Sequence, residues 1–185
     1  MKTMITHFNV DSSDKYLGIQ RGTNMTQGNF MTVKTRDRIM ADIRGLEDKK
    51  PEITDRIGAA RLQGGLEENE ELIMALEEMQ RLDMDIHRHQ EKLADITLIS
   101  QLSPGKHKIA KMGTTVTVMN IETEKESTYT ILGVHDSDPN NGIISFKSPL
   151  GEELLSRQVG DEIEIQAGNN ISNYEIIKIV AKKLQ

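Results

Sequence analysis

The chain has 185 residues, enough for one ordinary domain or two small ones; hydrophobic residues make up 36% and aromatic residues 3%, with no Trp. That is thin for a single compact core and fits an elongated protein. The formal net charge of −6 argues against holding nucleic acid by phosphate neutralisation, and the lack of cysteine excludes disulfides, zinc ribbons and thiol nucleophiles.

In chain order, residues 1–30 carry polar runs such as DSSDK and RGTNMTQGN with no sustained period, so they read as a flexible leader. The start of the patterned sequence near MTVKTRDRIM leaves Met25 and Met31 as alternative first residues. No stretch has the apolar run of a signal peptide or a membrane span, and a cytoplasmic protein is the expectation.

Residues 31–100 read as a helical hairpin. Ile39, Leu46, Ile53 and Ala60 fall seven apart, with Ile43 and Ile57 on a second line. After two glycines, Leu72, Met79, Ile86 and Leu93 form one line and Ala75, Leu82, His89 and Ile96 the other. Two such seams joined by a short Gly-containing link bury each other only by folding back, which predicts an antiparallel coiled coil with its tip at 62–71. Pro51 breaks or kinks the first arm near Lys50 and starts a fresh segment. The second arm, roughly 28 residues, spans on the order of 40 Å.

Residues 101–108, QLSPGKHK, have linker composition, and residues 109–185 change pattern. TTVTVMN (114–120), STYTILG (127–133), IISF (143–146), DEIEIQ (161–166) and NYEIIKIV (173–180) read as strands, and GEELLSRQ between them as a short helix. The fold class is therefore α+β, a helical hairpin followed by a small sheet domain.

The tip, RLQGGLEENEEL at 61–72, holds four glutamates with no histidine or cysteine beside them. Acids in the first turn of a helix interact favourably with its dipole, which by itself explains such a cluster. His87 and His89 are two apart, so on a helix they do not face one ligand, and His89 lies on the seam.

The residues now in view resemble the bacterial Gre transcript-cleavage factors. The resemblance rests on Met31-Thr32, PEI at 51–53, AAR at 59–61 and GGLEENEEL at 64–72. In the second half it rests on GTTVTVMN, STYTILG, DSD at 136–138, IISFKSPLGEELL and VGDEIEI. It implies a coiled coil followed by an FKBP-like domain without isomerase activity; three Phe and three Tyr in the whole chain are too few for an aromatic isomerase pocket. It also implies that RNA polymerase is the partner. The second domain would dock at the rim of the polymerase secondary channel through Asp136, Asp138, Ser148 and Pro149, and the coiled coil would enter the channel.

In the family an acidic tip helps the polymerase hold a second Mg²⁺ and a water, and a backtracked transcript is cut; carboxylates suit a hard divalent ion. Carried over by position, the tip residues are Gly65, Glu67, Glu68, Asn69 and Glu71, with Arg61 as the basic residue of the arm. The family's tip Asp is Gly65 here, its aromatic residue is Leu72, and the Arg four residues on is Leu76. Glu68 with Glu71 is then the best remaining pair for an Mg²⁺ shared with RNA polymerase. The chain is expected to have no catalytic residue or cofactor of its own, to act as a monomer, and to meet nascent RNA and DNA only through the polymerase. Two other outputs stay open: a non-cleaving inhibitor of the anti-Gre kind in the same channel, and a chaperone-like or scaffold coiled coil. The absence of cysteine disfavours a zinc-bearing channel factor.

Overall fold

A computed structural model of the chain describes residues 28–64, 69–99, 102, 104–167 and 170–181. Strand β1 (Asn29–Met31) leads into α1 (Val33–Glu47) and α2 (Lys50–Arg61); after the tip, α3 (Glu70–Leu93) returns and ends in β2 (Ile96–Leu98). Thr32 caps α1, its hydroxyl accepting from the Thr35 N–H at 3.2 Å. Helix α1 stops at Glu47 and α2 restarts at Lys50 with Pro51 in its first turn, where a missing N–H costs nothing.

The seam forms from the heptad positions. Ile53, Ile57 and Ala60 of α2 and Leu72, Ala75, Leu82 and Ile86 of α3 are buried together, with Ile43, Leu46 and Met79 packed against them. Lys50 pairs with Asp83 at 2.7 Å, and Arg56 with Glu71 and Glu78, so the arms run antiparallel. The 24 residues of α3 extend about 36 Å.

The second half is a six-stranded mixed sheet in the order β3 (Gly105–Lys106), β8 (Asn170–Ala181), β4 (Thr114–Asn120), β5 (Glu126–Leu132) and β6 (Ile143–Ser145), with β7 (Glu162–Ala167) also pairing β8. Helix α4 (Pro149–Leu154) covers the core of Val116, Val118, Ile131, Phe146, Leu154, Ile163, Ile176 and Ile179.

Apart from shifts of one to three residues at the ends of β5 to β8, four features differ from the sequence reading. Strand β1 falls partly inside the span assigned to the leader and pairs in parallel with β2. Ile96, expected on the coiled-coil seam, lies in β2, because α3 closes at Leu93 and Asp95 turns the chain with φ 51°. Gly105–Lys106, assigned to the linker, pairs with the end of β8 and belongs to the sheet. The short helix starts at Pro149 and stops at Leu154 rather than running over GEELLSRQ, because Ser156 adopts φ 68°. Strands of two or three residues leave no periodicity to read, and their partners lie far off in sequence.

Candidate tip and docking sites

The far end of the hairpin is closed by Asn69. Its side-chain oxygen accepts from the Leu72 N–H at 3.0 Å, capping α3, while its Nδ2 donates to the Ala60 carbonyl at 2.6 Å across the hairpin. One amide therefore satisfies an orphan donor of α3 and adds a second donor to the Ala60 carbonyl, which also accepts from the Gln63 N–H at 3.0 Å. The resemblance cast Asn69 as a residue acting at the polymerase centre; in the fold its side chain is committed to holding the tip shut. Asn69→Ala is expected to cost about 1–2 kcal/mol in denaturant unfolding. Asn69→Asp keeps the acceptor and loses the donor, so it should fall between.

Glu71 is likewise engaged. Its Oε1 accepts from Nε and Nη2 of Arg56 at 3.2 and 2.9 Å, and Nη1 of the same guanidinium donates to Glu78 Oε2 at 2.6 Å. These bonds, first that to Glu71, hold the Arg56 pKa above its ordinary value. Gly65, Glu67 and Glu68 lie outside the described residues, and with them the expected Glu68–Glu71 pair. No group of three or more His, Cys, Asp or Glu side chains converges among the described residues. Glu71, one of the two expected ligands, meets the Arg56 guanidinium at 2.9 Å. Arg61 is exposed in the last turn of α2, where a cation complements the helix dipole. His89 Nδ1 bonds the Asp85 carbonyl at 2.8 Å and His87 meets Glu91 at 3.4 Å, so the two imidazoles serve separate contacts.

At the other end the hairpin is fastened to the sheet domain. Asp136 accepts from the Thr32 N–H at 3.2 and 3.0 Å through its two oxygens and from the Thr32 hydroxyl at 2.5 Å. Phe30 stacks edge-on against Phe146, centroids 5.4 Å apart and planes at 87°, an arrangement favourable beyond the area it buries. Asn29 donates to the carbonyls of Lys92 and Ala94, and Arg38 to that of His135. The sequence reading missed Phe30, Thr32 and His135 as joint residues. Thr32 was visible only as part of the MT pair, and nothing in the sequence ties it to Asp136.

The four residues expected to dock on the polymerase gather around β6, largely in structural roles. Asp136 is half-buried and bonds Thr32, so in this fold it serves as a joint residue. Asp138 accepts from the Asn141 side chain at 2.7 Å, shaping the turn before β6. Ser148 caps α4, accepting from the Gly151 N–H at 3.1 Å and donating to the Ser145 carbonyl at 2.6 Å. Pro149 occupies the first turn of α4 and is exposed, so of the four it presents most side chain outward.

His135 adds a pH dependence to the joint. Partial burial lowers its pKa below the ordinary 6.5, the nearby Lys92 lowers it further, and Asp136 opposes both. A lowered folded-state pKa means the unfolded chain binds the proton more readily. Stability is therefore complete above pH 6.5 and falls as pH drops through 6.5 towards the lowered value. Between pH 7.5 and pH 5.5 the melting temperature of the wild type should fall further than that of His135→Gln.

Two helical arms closed at the tip and a mixed sheet clasped to their base define a two-part α+β protein whose hairpin projects from a carrier domain. Residues 29–98 match the family described as transcription elongation factor, N-terminal, and residues 105–181 match transcription elongation factor, GreA/GreB, C-term. The chain is 32% identical over 155 residues to transcription elongation factor GreA of Helicobacter pylori, covering 83% of this chain and 94% of that protein. It is 34% identical over 143 residues to transcription elongation factor GreA of Maridesulfovibrio salexigens, covering 77% and 89%. The chain belongs to the GreA/GreB family of transcription elongation factors. A crystal structure of GreA factor homolog 1 of Thermus thermophilus aligns over 83% of this chain and 99% of its own, with 16% identity and a TM-score of 0.38. No helix among the described residues is long and apolar enough to cross a membrane.

Proposed function

We propose that this family member binds RNA polymerase in the cytoplasm as a monomer and modulates backtracked or arrested complexes by inserting its hairpin into the secondary channel. The C-terminal domain docks at the channel rim, the hairpin supplies reach, and the tip brings Glu67 and Glu68 to the polymerase active centre. Chemistry belongs to the polymerase, and this chain positions. Nascent RNA and DNA are met through that partner, since the net charge of −6 disfavours an independent grip on phosphates.

The observation that carries this reading is the construction of the hairpin. Asn69 ties its arms at the tip and Thr32–Asp136 ties its base to the sheet domain, so a narrow arm can present its end at a set distance from a docking surface. The test is a purified backtracked elongation complex assayed for transcript shortening, with co-purification on the polymerase as the binding readout. Shortening with binding supports a cleavage factor. Failure to co-purify overturns the proposal and returns the chaperone-like or scaffold reading. A second reading, a bound but non-cleaving occupant of the channel, is favoured by two features. Gly65 carries no carboxylate, and Glu71 is held by Arg56.

A further inference from the structure

Arg56 has no counterpart in the motifs that carry the Gre resemblance, yet it is the one cation whose guanidinium bridges two acids of the opposite arm among the described residues. Glu71 lies in the first turn of α3, beside the tip, and Glu78 two turns further down the same helix. A planar fork that donates to both carboxylates fits one axial offset of α2 against α3, since sliding either arm by a turn would separate at least one pair. The heptad seam alone is less selective, because a shift by one heptad still places apolar side chains opposite one another.

We propose that Arg56 is a positioning residue that sets the register of the two arms below the tip and withdraws Glu71 from the carboxylates open to a divalent ion. Its functional meaning rests on the polymerase reading above: the acids offered to the active centre are then those ahead of Asn69, and Glu71 supports them. Exposed ion pairs add little to stability, so the consequence of the bridge lies in geometry and local charge.

The full chain is titrated with Mn²⁺ while amide NMR signals of residues 69–78 are followed. In Arg56→Met the freed Glu71, beside the tip, should broaden those signals at about one-fifth of the Mn²⁺ concentration needed for the wild type. Adding Glu71→Gln to Arg56→Met should restore the wild-type curve, which loss of packing alone would not do. Arg56→Lys, which retains charge but cannot fork, should fall between and serves if the methionine variant folds poorly. Identical titrations for wild type and Arg56→Met, or broadening that survives Glu71→Gln, overturn the proposal. In backtracked complexes Arg56→Met should lower the Mg²⁺ needed for half-maximal shortening while co-purification is unchanged. If neither protein co-purifies, the polymerase reading fails while the Mn²⁺ comparison still decides the role of Arg56.

Discussion

Replacing Gly133 by alanine is expected to lower the stability of the chain by about 3 kcal/mol and to loosen the hairpin from the sheet domain. Gly133 is buried, and its backbone, with φ −69° and ψ 167°, is one any residue adopts. The constraint is space. A Cβ at that position would stand 1.8 Å from the Phe30 carbonyl oxygen, 2.7 Å from its carbon and 2.8 Å from Asp136 Oδ2. Two of these atoms are backbone of β1, which cannot turn aside as a side chain can. Relief therefore requires β1 to move away, and that displacement disrupts the Phe30–Phe146 contact and the hydrogen bonds from Thr32 to Asp136. Denaturant unfolding of Gly133→Ala against wild type measures the cost, and a midpoint equal to that of the wild type would show that β1 relaxes freely. In the elongation complex the same variant should bind polymerase through its sheet domain while losing most of its effect on transcripts, because the arm no longer leaves the docked domain at a set angle.

Gly65→Asp should raise transcript shortening in backtracked complexes by about tenfold or more, a change equivalent to about 1.4 kcal/mol of barrier. The Gre resemblance implies an aspartate where this chain has Gly65, and Glu71 is held against Arg56 rather than left to substitute. The added carboxylate then supplies what the described tip residues do not. Polymerase affinity should change little, since the variant alters one side chain at the end of the arm and none around β6. If wild type and Gly65→Asp shorten transcripts equally, Glu67 and Glu68 suffice. If only the variant shortens them, the natural protein is a channel occupant that does not promote cleavage. The two results separate an activator from an inhibitor without depending on how tightly either binds.

Much of the fold was legible in the sequence because it is built from long periodic elements. Most positions read as the seam, among them Ile53, Ile57, Ala60, Leu72, Ala75, Leu82 and Ile86, pack together, since spacing along a helix fixes which side chains share a face; Ile39, His89, Leu93 and Ile96 lie outside that cluster. Pro51 marked the break between α1 and α2 because a ring without an N–H starts a helix and cannot continue one. The main strands were visible as β-branched runs between turns, and β4 covers the residues expected of it. The tip was legible as a place and not as an arrangement. Glu71 and Asn69 were recognised as tip residues by position, while the partners that commit them, Arg56 and the Ala60 carbonyl, sit on the other arm.

By itself, then, the sequence determined the hairpin, the sheet and the acidity of the tip, which follow from local periodicity and residue type, and it pointed to the family through the resemblance of its motifs. Only the tertiary structure decided what the polar side chains do. Asp136 bonds Thr32, Ser148 caps α4 and Phe30 packs on Phe146, because each contact depends on where two distant segments meet. A carboxylate on a loop reads the same in sequence whether it faces solvent, a partner or its own backbone. Its meaning comes from the donor that the fold places opposite it.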